Sequence, residues 1–138
     1  MRHGWPILRW LGPLSVAFGL GGCGFFGPAH DEPSLHAAAS IDMGFASFDR
    51  ETVAIHAGQM VEFRNTSIVT HTVTDDPNLA AMQGDVALPP GAAPFDSGDI
   101  PAGEVYQRVF TAPGTYRYFC RHHEADGMVA TIVVDAGS

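Results

Sequence analysis

The sequence predicts an all-β fold, a Greek-key sandwich or barrel. From residue 34 onward the apolar segments are short, rich in β-branched and aromatic residues, and separated by turns that contain glycine or proline. No window there has the 3.6-residue apolar period of a long amphipathic helix, and no internal repeat is present. Closely spaced strands of this kind are typical of β-sandwiches and β-barrels, and 138 residues suffice for one such domain.

The predicted strands follow one another with clear turn signals between them. The first two flank Ala57-Gly58, and a later pair flanks Ala112-Pro113-Gly114. The predicted strands cover residues 52–55, 60–64, 69–74, 105–110, 115–120 and 128–134. Residues 75–99 contain four prolines and are too long for a hairpin turn. They are expected to form a surface excursion, with a short helical turn near residues 78–82.

The strand before the second cysteine can be oriented, because side chains alternate between the two faces of a strand. One face carries Tyr116, Tyr118 and Cys120, and the other carries Arg117, Phe119 and Arg121. The arginines mark their face as the outer one. Cys120 is therefore expected to point inward at the end of the strand, where a loop begins.

The N-terminal residues are predicted to be a secretory signal. Residues 1–9 are basic, and residues 10–20 form an apolar run of eleven residues, which is too short to span a bilayer. The run ends in Leu20-Gly21-Gly22-Cys23, which resembles the bacterial lipobox, where the cysteine is lipidated and becomes the mature N-terminus. An ordinary signal cleaved near residues 27–29 is the alternative.

The predicted organisation has three parts: a signal peptide at 1–22, a flexible tether at 23–34 and a folded domain at 35–138. The tether contains glycines and prolines without periodicity. Either signal type places the mature protein outside the cytoplasm. Lipidation of Cys23 would anchor it on the periplasmic or cell-surface side of a bacterial membrane.

The charge balance bears on the partner. All seven cationic residues are arginines, and from Cys23 onward five arginines face fifteen carboxylates, which leaves a balance of −10. This sign argues against nucleic acid or an anionic membrane surface as a partner. It favours a cationic protein, although an acidic surface that serves only solubility is the common alternative.

The segment YFCRHHEADGM, residues 118–128, places a cysteine, two adjacent histidines and a methionine within eleven residues. A thiolate, an imidazole and a thioether form a soft ligand set that suits copper, whereas a structural zinc site would use more thiolates or histidines. A trigonal copper site needs a second imidazole and a weak axial sulfur. The spacing Cys-x2-His-x4-Met is met if the loop histidine is His123 rather than His122.

A family resemblance covers about residues 41–135. The stretch YRYFCRHHEADGMVATIVV resembles the C-terminal ligand loop of the cupredoxins, with the spacing of the plastocyanin-like members. EFRNTSIVTHTVTDD is similar to the upstream segment that carries the family's other histidine. The resemblance implies a cupredoxin-type sandwich with one type 1 copper per chain. The implied ligands are His71, Cys120 and His123 in the equatorial plane and Met128 as the axial contact.

Two positions depart from the family pattern. Relatives often have asparagine after the first histidine, where its side chain ties the ligand loops together, and this chain has Thr72. Relatives often have proline before the loop histidine, and this chain has His122. The change at Thr72 is expected to tune rigidity and potential without abolishing the site.

Two alternatives for Cys120 stay open. In an oxidising compartment it could form a disulfide with Cys23, provided that the signal region is retained. It could also be a free thiol in a metal-free sandwich used for adhesion.

The resemblance implies an electron carrier rather than an enzyme, because four protein ligands leave no open position for a substrate. The expected partners are basic redox proteins, such as a c-type cytochrome or a membrane oxidase or reductase, and the protein is expected to be a monomer. His123 should reach the surface within an apolar rim. The candidates are Met82, Leu88, Pro89, Pro90 and the loop neighbours of Met128. The alternative function is a copper-binding lipoprotein that stores or delivers the metal.

Overall fold

The computed structural model describes residues 36–137. This part of the chain has six strands and two short 3-10 turns. The strands are β1 Ala39–Met43, β2 Thr52–His56, β3 Gln59–Asn65, β4 Val105–Phe110, β5 Gly114–Phe119 and β6 Val129–Asp135. The turns are Gln83–Asp85 and Glu124–Asp126. The prediction of an all-β fold is confirmed. Within these residues no helix is long and apolar enough to cross a membrane.

The six strands form a sandwich of two three-stranded sheets. One sheet has the order β1-β3-β4 and the other has the order β2-β6-β5. In each sheet one pair is parallel, β1 with β3 and β2 with β6, while β3–β4 and β5–β6 are antiparallel. Parallel neighbours cannot be joined by a tight hairpin, so the chain crosses between the sheets.

The core lies between the sheets and follows the alternation of each strand. Ile41, Val61, Phe63 and Ile132 are completely buried, and Tyr118 packs among them. The Tyr118 ring meets the rings of Phe48 and Phe63 edge-on, with centroid distances of 4.9 and 5.4 Å. Burying side chains of this size stabilises a fold by roughly 1.5–3 kcal/mol each.

Two local predictions are wrong, and one strand was not predicted. Strand β1 was not predicted. Residues 69–74 are not a continuous strand: only His71 and Thr74 make isolated bridges, because the Thr72 and Val73 amides donate to the side chains of Cys120 and Ser97 instead of a neighbouring strand. The short helical turn lies at Gln83–Asp85 rather than at 78–82.

Phe119 was expected on the outer face of β5, yet it is fully buried. Its backbone bridges to Thr74, with N–O distances of 2.9 and 3.1 Å in the two directions. The segment before the excursion therefore lies alongside the end of β5.

The later part of the excursion runs back along β5, away from Cys120. Ala87 bridges to Arg117, and Pro89 is buried against Gly114 at the opposite end of the strand. Gly114 has φ of +133°, and a Cβ on it would overlap the Pro89 ring. Leu88, Pro89 and Pro90 follow Ala87 in this direction, so their assignment to the rim around His123 was wrong.

The predictions for the signal peptide, Cys23 and the tether fall on residues 1–34, outside the described residues.

Candidate metal centre

Two segments at one end of the sandwich bring the predicted ligands together. Cys120, His123 and Met128 lie in the loop between β5 and β6, and His71 lies six residues beyond the end of β3. His71 is fixed by a two-way backbone bridge to Ile100, with N–O distances of 3.1 and 2.7 Å. The two segments meet where the Thr72 amide donates to Cys120 Sγ, 48 residues later in the chain.

The three nitrogen and sulfur donors converge on a small volume. Cys120 Sγ lies 3.7 Å from His71 Nδ1 and 3.6 Å from His123 Nδ1. All three donor atoms lie within 4.8 Å of one another, a grouping that can hold one metal ion. His71 and Cys120 are completely buried, whereas His123 is only partly buried.

Met128 is brought to the same place by the closure of the loop. The Cys120 amide donates to the Met128 carbonyl at 3.0 Å, and the Met128 amide donates to the His123 carbonyl at 3.1 Å. The Met128 side chain is 1% exposed and belongs to the core cluster that includes Cys120. A buried thioether therefore lies beside the thiol and the two imidazoles.

Hydrogen bonds orient the His71 ring with Nδ1 toward Cys120. The other ring nitrogen, Nε2, lies 2.9 Å from Ser67 Oγ. Asn65 fixes Ser67, because its Oδ1 accepts hydrogen bonds from the Ser67 amide at 3.0 Å and hydroxyl at 2.8 Å. Burial, helped by the charge of His123, lowers the pKa of His71. The ring is therefore kept neutral and able to donate a lone pair to a metal.

Thr72 ties the two ligand segments together. Its amide donates to Cys120 Sγ at 3.3 Å, and its hydroxyl lies 3.8 Å from the same sulfur. The hydroxyl oxygen also accepts a hydrogen bond from the Arg121 amide at 2.8 Å. The departure from asparagine noted in the sequence thus keeps a side-chain link between the segments.

His122 does not join the cluster. Its Nε2 lies 2.8 Å from Asp99 Oδ1 at the surface, and its side chain is 43% exposed. The neighbouring Arg121 faces Asp96 and Asp99 at 3.6 and 4.0 Å. Of the two adjacent histidines, only His123 points its nitrogen at Cys120.

Sequence reasoning missed Ser67 and Glu124. Ser67 carried a weak signal, since Asn-x-Ser after a strand is typical of side-chain-bonded turns. Glu124 carried none: it is 5% exposed, and its carboxylate accepts hydrogen bonds from the Ala81 and Met82 amides, each at 2.9 Å. A glutamate in a glycine-containing loop ordinarily faces solvent.

The donor set fits copper. A buried thiol, two imidazole nitrogens and a nearby thioether are soft donors in the combination that type 1 copper uses. A β-sandwich with this constellation at one end defines the cupredoxin class.

The sequence model of copper binding proteins of the plastocyanin/azurin family matches residues 35–135, and the chain belongs to that family. Copper is accordingly its cofactor.

Known relatives agree with this assignment. The chain is 32% identical over 109 residues to chloroplastic plastocyanin of Chlamydomonas reinhardtii, covering 73% of this chain and 70% of that protein. It is 31% identical over 111 residues to plastocyanin of Prochlorothrix hollandica, covering 75% and 77% respectively. Among solved structures, a Cu(I) form of an amicyanin variant matches with a TM-score of 0.55 at 21% identity, covering 72% of this chain and 84% of that one. At that identity the structural match supports the fold alone.

Proposed function

We propose that the protein is an extracytoplasmic type 1 copper protein that carries single electrons between redox partners. The proposed ligands are His71, Cys120 and His123, with Met128 as the weak axial contact. The observation that carries the proposal is the position of Cys120 Sγ, 3.7 and 3.6 Å from two imidazole nitrogens in a buried pocket.

The residues of this site are suited to electron transfer rather than to conversion of a substrate. Bound copper supplies one-electron chemistry between Cu(I) and Cu(II). The chain holds the donors in place through Ser67 and Thr72, and burial of the donors limits access of water. Four protein donors leave no position for a substrate, so the protein is proposed to be a carrier and not an enzyme.

His123 offers the route between the site and a partner. It is the only one of the four proposed ligands that is not fully buried. The side chain of Phe45, which is 70% exposed, lies beside it with a ring-centroid distance of 6.4 Å. An apolar contact here would let a partner approach the imidazole edge closely without a layer of bound water.

The partner is proposed to be a basic redox protein, such as a c-type cytochrome or a membrane oxidase or reductase. The balance of −10 from Cys23 onward would steer a cationic surface at long range. Stopped-flow reduction by a basic cytochrome should slow as salt rises, because the Debye length falls from about 30 Å at 0.01 M to about 10 Å at 0.1 M. Reduction rates that do not change with salt would mean that the acidic surface serves solubility only.

We propose that the protein lies on the periplasmic or cell-surface side of a bacterial membrane, anchored through lipidated Cys23. The basis is the sequence Leu20-Gly21-Gly22-Cys23 after an apolar run. Cys23→Ser should release the domain into the soluble extracytoplasmic fraction with its copper site intact. Wild-type protein recovered wholly in that fraction would refute the anchor and leave the copper assignment untouched.

The deciding experiment is the visible spectrum of the oxidised, copper-loaded protein. An intense thiolate-to-copper band is expected for wild type, and Cys120→Ser should abolish it. His123→Ala should abolish or shift the band. His122→Ala is the matched control and should keep it, because the His122 ring bonds to Asp99 at the surface. The reverse ranking of the two histidines would overturn the ligand assignment.

A further inference from the structure

Glu124 directly follows His123, and nothing in the proposed ligand set uses it. Its side chain is nevertheless 5% exposed, the one buried residue of its 3-10 turn. Removing a carboxylate from water is costly unless hydrogen bonds replace the lost hydration. The surroundings of Glu124 supply them.

Both oxygens of the Glu124 carboxylate accept a hydrogen bond from a backbone amide. Oε2 accepts from Ala81 and Oε1 accepts from Met82, each at 2.9 Å. Hydrogen bonds to an ionised group are stronger than those between neutral groups. These two join the ligand turn to a segment 42 and 43 residues earlier in the chain.

This connection restrains the half of the loop that lies after His123. Before His123, the Arg121 amide is held by the Thr72 hydroxyl at 2.8 Å. After it, the backbone bonds stay within the loop: the Asp126 and Met128 amides donate to the His123 carbonyl, and the Gly127 amide donates to the Glu124 carbonyl. Local bonds of this kind move with the turn and do not fix it to the rest of the domain. The Glu124 carboxylate does.

We propose that Glu124 is a positioning residue for the metal centre. By accepting hydrogen bonds from two consecutive amides of the excursion, it fixes the turn that presents the His123 imidazole. The proposal rests on the proposed role of His123 as a ligand. The hydrogen bond to the Met82 amide also places Met82, whose side chain is 48% exposed, next to the ligand turn. Met82, one of the predicted rim residues, is thus bonded through its amide to the residue that follows His123.

The test compares Glu124→Gln with Asp126→Asn. The glutamine side chain keeps the length and shape of glutamate but has one acceptor oxygen, so one of the two amides loses its partner. Asp126 lies in the same turn, is exposed, and loses the same unit of charge when changed to Asn. The control therefore reports the effect of charge alone. Glu124→Ala, which removes both acceptors, is the stronger variant if it folds.

Three readouts are needed. Amide hydrogen exchange of Ala81 and Met82 in the copper-free protein should accelerate in Glu124→Gln and stay at the wild-type rate in Asp126→Asn. Copper release should accelerate about 10- to 100-fold in Glu124→Gln, because removing a group that orients a metal ligand costs about this factor in metal affinity. The reduction potential should shift beyond the shift seen in Asp126→Asn.

The outcomes separate the two proposals. If wild type is blue but Glu124→Gln matches Asp126→Asn in copper release and in potential, the positioning role of Glu124 is refuted, even if amide exchange shows that the connection is broken. If wild-type protein with an intact Cys120 binds no copper with a thiolate band, the proposed function itself fails, and the role of Glu124 toward a ligand fails with it.

Discussion

The two segments that carry the ligands are built in opposite ways. In the first, residues 65–75, the run from His71 to Asp75 is completely buried, and its polar groups bond to three other parts of the chain. In the second, residues 120–128, five of the nine residues are exposed. Two of its links to distant segments are buried or partly buried, from Thr72 to the Arg121 amide and from Glu124 to the Ala81 and Met82 amides, whereas His122 and Arg121 face Asp99 at the surface.

This difference indicates that the two imidazoles have different roles. His71 is immobilised in the core, so it can define the geometry of the site. His123 lies in a turn that faces solvent, so it can meet a partner. A carrier needs both, because a rigid site keeps reorganisation small while an exposed edge keeps the transfer distance short.

The strongest test of these different roles replaces each imidazole by a cavity. In His123→Gly, added imidazole should enter from solvent and restore the thiolate-to-copper band. In His71→Gly it should not, because that position is fully enclosed. Absorption titrations of the two copper-loaded variants make the comparison. Equal recovery in both, or in neither, would remove the distinction between an enclosed and an accessible ligand.

The next largest effect is expected at Asn65, which organises the first segment. Its Nδ2 donates to the carbonyls of Val69 and Ile100 at 2.7 and 2.9 Å, and its Oδ1 accepts from Ser67. Asn65→Ala leaves several of these groups unpaired in a buried place, which should lower the free energy of unfolding by about 3 kcal/mol. Urea unfolding of the copper-free protein measures it.

The control for Asn65 is Asn78→Ala. Asn78 is exposed and, among the described residues, its side chain bonds only to Asp76, so the change should stay within about 0.5 kcal/mol. Comparable losses in the two variants would show that the first segment is not held more firmly than the surface of the excursion.

The first segment also contains a buried carboxylate whose ionisation opposes folding. Burial raises the pKa of Asp75 from 3.8 to about 6, while the Phe95 amide and Arg108 act in the opposite direction. Its Oδ1 accepts from the Phe95 amide at 2.7 Å, but its Oδ2 has no hydrogen-bond partner within the described residues. A pKa difference of this size between the folded and unfolded states means that full ionisation of Asp75 costs about 3 kcal/mol of stability.

The sign follows from which state binds the proton. Between pH 4 and 6 the folded form holds the proton on Asp75 more tightly than the unfolded form does, so this contribution to stability falls as pH rises. Asp75→Asn should therefore gain stability relative to wild type as pH rises from 4 to 7. Urea unfolding across that range gives the difference, and a constant difference would contradict the prediction.

The smallest effect is expected at Thr72, where the two segments meet. Thr72→Val keeps the shape but removes the acceptor of the Arg121 amide, at a cost of about 1 kcal/mol. The thiolate also loses a nearby hydroxyl donor, which should lower the reduction potential slightly. Thr72→Ser keeps the hydroxyl and should keep the potential. Voltammetry of both variants measures this, and identical potentials would mean that the hydroxyl does not act on the sulfur.

Much of the fold was predictable, because strand alternation is a local property. The inward positions of Tyr116, Tyr118 and Cys120 follow from the two-residue period alone and agree with their burial. Phe119 could not be placed this way, since the segment that pairs with it at Thr74 comes from 45 residues away and depends on the tertiary fold. Strand β1 carries the weak pattern ASIDM, in which alanine and serine give little contrast.

The site divides along the same line. The grouping of Cys120 and His123 with Met128 is visible in the spacing of one loop, and the resemblance to the family added His71. The groups that hold these residues were not visible. Glu124 and its amide partners have no sequence relation, and the role of Thr72 depends on a sulfur 48 residues away.

The unequal exposure of the four proposed ligands also bears on how the protein acquires its metal. His71, Cys120 and Met128 are sealed once the domain has folded, and the partly exposed ring of His123 is the one face that solvent reaches. An ion arriving after folding would therefore have to pass this ring. Metal uptake and electron exchange would then both take place at the exposed face of His123. A docked partner would cover this face and would slow loss of the metal for as long as it stays bound.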